Sequence, residues 1–375
     1  GILMSLEVLI WIALAVLLVM GTPIFVSLGM ASITVLLLSD IPLSLVMIDL
    51  IKVSDMFPLL AVVGFVFAGA LMERGGMAAQ IVEVASMLVG HIRGGLGIVT
   101  ILGCMFFASM IGSGPGTVAA MGSIMIPTMV RRGYSPEYAA GVCATGGTLG
   151  ILIPPSNPMI IYGVVANTSI AGLFMAGFIP GFVLTSLMCI TAYCIAKKRG
   201  YQGTNEKFSI VGLCKAIWDG KWALATPAII LGGIYWGVFT PTEAAEVGVL
   251  WTLFVGLFVY RKLTWKNISS ALIRTSAFAG SATVLVGVSM AFSRLLTLYH
   301  IPQSVGAFLG SISTDPTITL LLIAFFIFLC GFVADTLAMV VVLAPVFLPI
   351  TNALGIHPIQ LGILFVAVSY THLTL

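Results

Sequence analysis

The chain has 375 residues, 60% apolar and 8% charged, with a formal net charge of +3. A soluble domain carries about a quarter charged residues, and the basic residues here form no concentrated stripe, which argues against nucleic acid as a partner. Several apolar runs exceed the roughly 20 residues that cross a bilayer as helix and lack the alternation of an outer-membrane barrel, so the expected class is an all-α polytopic membrane protein in a lipid bilayer.

The first apolar run, 6–38, is too long for a signal segment and has no basic residue before it. Gly21, Thr22 and Pro23 mark a break that leaves one kinked span or two short ones. Further apolar segments follow at 56–72, 95–130, 138–165, 171–196, 222–239, 244–260, 270–298, 318–350 and 359–368. The polar connection 197–221 carries Lys197, Lys198, Arg199, Lys207, Lys215 and Lys221. The positive-inside rule places it in the cytoplasm, together with Arg261, Lys262 and Lys266 two spans later and Arg131 and Arg132 two spans earlier. Segment 95–130 has Arg93 and Arg131 at its ends and a glycine-rich middle. Folded as a re-entrant hairpin tipped at Gly112–Gly116, it leaves all but Lys52 and Arg294 of the 16 basic residues inside.

A second copy follows the same plan. "FFASMIGSGPGTVAAMGSIMIP" from Phe106 and "FFIFLCGFVADTLAMVVVLAPVFLP" from Phe325 share Phe106/Phe325, Gly112/Gly331 and Thr117/Thr336 at one spacing. "GYSPEYAAG" from Gly133 matches "GIHPIQLGI" from Gly355. The spans leading into the two hairpins run in opposite directions, so the copies form an inverted repeat, the architecture of secondary transporters.

Within the first copy, after its hairpin, lies "TGGTLGILIPPSNPMIIYG", an apolar run with a backbone that resists helix. Such breaks survive in a membrane only where freed backbone groups find partners in protein or in a water-filled cavity. The stretch 145–156 therefore reads as an unwound crossing. Its carbonyls suit a hard cation, and the helix restarting after Pro154–Pro155 offers free N–H groups to an anion. Ser156 and Asn157 stand at the N-cap of that restart; a plain proline kink with capping side chains is the simpler reading. Asp335, between apolar flanks, reads as a Na⁺ ligand or proton carrier, or as a helix cap for "DTLAMVVVLAP". Glu243 and Glu246 follow "FTPT" and read as capping residues. The six cysteines form no C-x-x-C pair and read as small core residues. "NPM" at 157–159 has no second copy of an aquaporin type, "GSG" at 112–114 is no nucleophile elbow, and no phosphate-binding loop is present.

The residues resemble the large membrane subunit of tripartite ATP-independent periplasmic (TRAP) transporters. The matching stretches are "GSGPGTVAAMGSIMIPTMVRRGYSPEYAAGV", "GGTLGILIPPSNPMIIYGV", "SIAGLFMAGFIPG", "WGVFTPTEAAEVG" and "GFVADTLAMVVVLAPVFLPI". The resemblance implies an elevator-type, sodium-coupled importer of an organic acid: a sialic acid, a C4-dicarboxylate or a keto acid. It implies a small membrane subunit and a periplasmic substrate-binding protein as partners, and a bacterial inner-membrane location. It also implies two Na⁺ sites. The first would use Gly112 and Ser113 with Thr145, Gly146 and Gly150; the second would use Asp335 and Thr336 with a second unwound helix. Substrate would lie near Ser113, Thr117, Ser156 and Asn157. Ile111 departs from the serine that many members carry before the Gly-Ser pair.

The expected division is N-terminal scaffold helices over 1–72, a first transport repeat over 73–170 and scaffold helices over 171–298. A second repeat over 299–368, with its hairpin at 318–350, and a tail over 369–375 complete it. The repeat spacing puts a second Pro-Pro break just past Leu375, and "SYTHLTL" is polar where the family continues as an apolar helix. The resemblance thus implies a shortened end with foreign sequence after Val368, an incomplete second cation site, and no transport by this chain alone. The competing readings are an ion-coupled anion carrier without a binding protein and a membrane-embedded enzyme. The enzyme reading lacks a convergent nucleophile–base set or a metal triad.

Overall fold

The computed structural model describes residues 2–204, 208–332 and 334–369, with only the backbone for 2–5 and 7. Lys207 and the tail beyond Ser369 lie outside the described residues. Among those residues the chain is helical, without strands. In chain order the helices are α1 (Ile2–Val19), α2 (Ile24–Leu37), α3 (Ser44–Ser54), α4 (Pro58–Arg74), α5 (Met77–Val89) and α6 (Gly95–Ile111). Next come α7 (Gly114–Arg131), α8 (Pro136–Gly147), α9 (Leu149–Leu152), α10 (Asn157–Val165), α11 (Ile170–Arg199) and α12 (Ile210–Tyr235). Then come α13 (Pro241–Phe254), extended by a π turn over Val255–Val259, and α14 (Trp265–Leu298). The series closes with α15 (Ile301–Ile312), α16 (Pro316–Gly331), α17 (Thr336–Ala353) and α18 (Pro358–Val368). Among the described residues, five helices are long and apolar enough to cross a membrane, or up to seven spans if each of two bent helix pairs counts as one.

The first apolar run forms two short helices. Pro23 supplies no N–H, and Gly21 turns the chain at φ +76°. Thr22 Oγ1 donates to the Leu17 carbonyl at 2.8 Å and lies 2.6 Å from the Ser27 hydroxyl, so side chains satisfy groups that the break frees. Helices α3, α5 and α15 fall outside the expected apolar segments because they are amphipathic. Helix α5 buries Met77, Ala78, Ile81 and Ala85, one face of a helix, and leaves Glu83 exposed. The polar connection is also shorter than expected. Helix α11 runs to Arg199, and α12 already starts at Ile210, capped by the Ser209 hydroxyl, which accepts from the Gly212 N–H at 3.1 Å.

The motif α4–α8 recurs as α14–α18, and its turn chemistry recurs with it. Helices α7 and α17 are both 18 residues long. Gly76 and His300 enter α5 and α15 at φ +82° and +55°, and Gly133 and Gly355 follow α7 and α17 at φ +86° and +72°. The caps of α8 and α18 also match: Ser135 Oγ accepts from the Tyr138 N–H, and His357 Nδ1 from the Ile359 N–H. Helix bounds, however, pair Thr336 with Gly114, the first residues of α17 and α7. The matched spacing of Thr117 and Thr336 thus fails at the tip, where the second copy has the longer connection.

Two compact units form. One lies within Gly1–Leu59, Ile161–Ser169 and Ala277–His372, and the other within Leu60–Ile160 and Ile170–Ser276. The helices up to Leu59 therefore group with 277–369, and residues 60–160 with 170–276. Packing explains this. In the first unit Ile10, Leu28 and Val35 share a core with Phe292, Leu295 and Val346. In the second, Met72, Ile81, Phe107, Met121 and Met125 share one with Ala223.

In the second unit the base of the α6–α7 hairpin meets the basic connector. The Tyr134 hydroxyl donates to the Gln202 carbonyl at 2.8 Å, the Thr204 N–H donates to the Gly90 carbonyl at 2.7 Å, and Tyr134 stacks on Tyr201 at 4.4 Å. Hydrogen bonding to Ser135 holds the Tyr201 hydroxyl below its usual pKa. Cysteines placed at Arg93 and Arg131 should both resist an impermeant thiol reagent in intact cells; labelling of only one from outside would rule out the hairpin.

In the first unit Arg294 Nη2 lies 2.7 Å from Asp49 Oδ1, the aspartate side chain fully buried and the arginine 39% exposed. This pair lay outside the sequence reading, which left Arg294 alone. Removing the arginine strands a buried carboxylate. Arg294→Ala is therefore expected to cost about 3–5 kcal/mol, and Asp49→Ala less, because Arg294 can turn to water. Chemical denaturation of both variants in detergent measures the asymmetry; equal costs would show that the pair is not what holds α3 to α14.

Candidate substrate and cation site

The first hairpin turns over two residues. Gly112 closes α6 at φ +64°, a conformation that favours glycine. Ser113 is extended and caps α7, its Oγ accepting from the Gly116 N–H at 3.4 Å. Thr117 is fully buried, and its hydroxyl donates to the Ser113 carbonyl at 2.9 Å.

The break facing this tip is narrower than expected. Backbone stays helical through most of 145–152 and opens over 153–156. Thr148 sends both its N–H, at 3.1 Å, and its hydroxyl, at 2.8 Å, to the Thr145 carbonyl, which keeps the turn closed. The glycines serve close packing here. A Cβ at Gly146 would come within 2.8 Å of Cys104 Sγ, and one at Gly147 within 2.1 Å of a Val118 methyl. A Cβ at Gly150 would meet the Ser113 carbonyl at 2.6 Å and the Thr117 hydroxyl at 2.7 Å. The opening is at Pro154–Pro155, a cis peptide. Ser156 bridges it: its hydroxyl donates to the Ile151 carbonyl and accepts from the Met159 N–H at 3.4 Å.

Tip and break are joined directly. The Asn157 N–H donates to the Gly112 carbonyl at 3.0 Å, and a Cβ on Gly112 would lie 2.5 Å from the Pro155 carbonyl oxygen. Asn157 is 2% exposed, and among the described residues neither Oδ1 nor Nδ2 of its carboxamide has a hydrogen-bond partner. Gly112, Ser113, Thr117, Gly150, Ser156 and Asn157 thus come together. Thr145 and Gly146 do not join them: Thr145 lines a groove between α8 and α11, and Gly146 packs on Cys104. The assembled groups are hydroxyls, carbonyls and one carboxamide, donors suited to a hard cation or to a carboxylate.

The second tip differs. Asp335 is exposed, not drawn into an apolar interior, and caps α17 by accepting from the Leu337 N–H at 3.2 Å. Thr336 is buried, with its hydroxyl 2.8 Å from that of Ser369 at the end of α18. The sequence reading also missed Tyr162, a buried residue with its hydroxyl donating to the Pro358 carbonyl at 2.7 Å. A lone tyrosine on an apolar face gives no hint of that partner.

Paired hairpins, the first of them set against a broken helix, in a chain with apolar membrane-length helices, define a multi-pass membrane transporter. The family described as "Tripartite ATP-independent periplasmic transporter, DctM component" matches residues 11–374, and the chain belongs to that family. It is 38% identical over 341 residues to the C4-dicarboxylate TRAP transporter large permease protein DctM of Pseudomonas aeruginosa, covering 91% of this chain and 80% of that protein. It is 39% identical over 311 residues to the sialic acid TRAP transporter large permease protein SiaM of Vibrio cholerae, covering 83% and 72%. The isethionate TRAP transporter permease protein DctMQ of Oleidesulfovibrio alaskensis is 36% identical over 353 residues; the match spans 94% of this chain but 56% of that longer protein. Among solved structures, the YdaH transporter of Alcanivorax borkumensis superposes with a TM-score of 0.60 at 15% identity, covering 86% of this chain and 76% of that one; this likeness concerns the fold alone.

The contact at Gly150 has no room for a methyl. Gly150→Ala should force the tip from the break, at about 1–3 kcal/mol of overpacking strain, and cut uptake at least tenfold in the assembled transporter. Gly141→Ala on α8 is the control, since nothing lies within 4 Å of a Cβ there. Equal uptake by the two variants would show that tip and break need not touch.

Proposed function

We propose that the chain is the large permease of a sodium-coupled importer that carries an organic acid anion across the bacterial inner membrane. It would work with a small membrane subunit and a periplasmic substrate-binding protein. The observation that carries this reading is the Asn157 carboxamide, buried without a partner among the described residues, beside the Gly112–Ser113 tip. A buried amide left unpaired costs about 1–3 kcal/mol. Here its oxygen can ligate a cation and its NH₂ can donate to a carboxylate. The hydroxyls of Ser113, Thr117 and Ser156 and the start of α10 surround it, and the partial positive charge of that helix start favours an anion. The relatives' names, which include C4-dicarboxylate, sialic acid and isethionate, support an acidic substrate class without choosing a member.

The second cation site, at Asp335 and Thr336, belongs to the same proposal. Exposure of Asp335 and its capping role make it the weaker of the two. Asn157→Leu should lower uptake ten- to hundredfold, the range for losing one hydrogen bond to a charged group, about 1.5–3 kcal/mol, and should raise the sodium concentration for half-maximal uptake. Asp335→Asn should change that sodium dependence less. The measurement is uptake into proteoliposomes against sodium concentration, with the partner subunits present. Undiminished uptake without sodium, abolished by a proton uncoupler, would replace sodium with proton coupling. An unchanged Asn157→Leu response would move the site elsewhere.

A further inference from the structure

A groove of about 660 Å³ runs between α8 and α11, floored on α6 by Ile101. Its walls are apolar: Val142 from α8, and Leu184, Met188 and Ile195 from α11. The mouth carries Glu137 and Arg199, both exposed. They make no ion pair with each other; among the described residues the ion pair found is Asp49–Arg294. The Arg199 guanidinium lies 5.8 Å from the centroid of the Tyr138 ring. The mouth is at the basic end of the second unit, where Lys197, Lys198 and Arg199 close α11, the end that the charge rule assigns to the cytoplasm.

We propose that this groove holds one phospholipid of the cytoplasmic leaflet, a phosphatidylethanolamine, with its headgroup at Glu137 and Arg199 and an acyl chain laid along α11. Three observations carry it. The groove has an amphiphile's polarity, charged at one end and apolar along its length. Its size matches a single leaflet. From Arg199 to Leu184 is about 22 Å along a helix at 1.5 Å per residue, enough to pass the headgroup level and reach through the ~15 Å of half a hydrocarbon core. The mouth also offers one positive and one negative group, unpaired with each other, which complements a phosphate and a primary ammonium. An anionic lipid would satisfy Arg199 and face Glu137 unfavourably. A quaternary ammonium could not donate hydrogen bonds to the carboxylate. The groove ends at Thr145 on α8, so the acyl chain lies against the helix that carries the break.

The test is native mass spectrometry of the full purified chain with added phosphatidylethanolamine or phosphatidylglycerol. One phosphatidylethanolamine should survive detergent stripping, with at least fivefold preference over phosphatidylglycerol. Gly141 faces open space in the groove, so Gly141→Phe should fill it and lower retention at least tenfold. Thr191→Trp fills it from α11 and decides the matter if the first variant does not elute as a folded species. Glu137→Gln should erase the headgroup preference while a lipid is still retained. The proposal is overturned by full retention in the filled variants or by equal retention of both lipids in the native chain. A photo-crosslinker at Thr191 that captures a protein helix instead of lipid would also overturn it.

Discussion

The hydrogen bond from the Asn157 N–H to the Gly112 carbonyl, at 3.0 Å, is what the rest of the site depends on. A helix interrupted by two prolines frees backbone donors and acceptors, and hydrocarbon offers them nothing. The chain answers by bringing a second interrupted element to the first. The freed N–H at the start of α10 meets the freed carbonyl at the end of α6, and Ser156 and Thr117 satisfy further carbonyls from their own helices. The span that carries the break is accordingly sheltered. Its apolar window is 89% buried, against 33% for α11. Breaks can exist here because protein, not lipid, surrounds them.

This constraint explains which parts were legible in the sequence. Hairpin tips and the proline break announce themselves through residues that cannot continue a helix, and the basic residues place the hairpin base. The DctM resemblance was readable because motifs such as "GILIPPSNP" are long and specific. Amphipathic helices α3, α5 and α15 were not readable as apolar runs, since half of each surface is polar. The extent of the break was overread. Gly146, Gly147 and Gly150 looked like helix breakers, yet each takes a close approach by another element, and the helix persists past them.

Two further departures have the same root: a side chain's environment depends on partners distant in sequence. Asp335 sits between apolar flanks, which suggested burial, but the second tip leaves it at the surface as a cap. Asp49, on a helix that no apolar run marks, is fully buried and paired with Arg294, some 245 positions along the chain. Local hydropathy describes the flanks of a charge and not what packs over it.

The close packing at the junction also limits how a solute could be released from it. Local opening would have to break the Asn157–Gly112 hydrogen bond and separate Gly150 from Ser113 and Thr117. Each backbone group left dry costs several kcal/mol, so loosening the tip alone is expensive unless water enters with the motion. Displacing the hairpin together with the broken helix as far as Ile160 costs none of these bonds, because those residues belong to one compact unit. Under the proposed function, the junction's chemistry would favour movement of the site as a body over a gate that parts its two halves, through the same backbone bond that allows the helix to be broken.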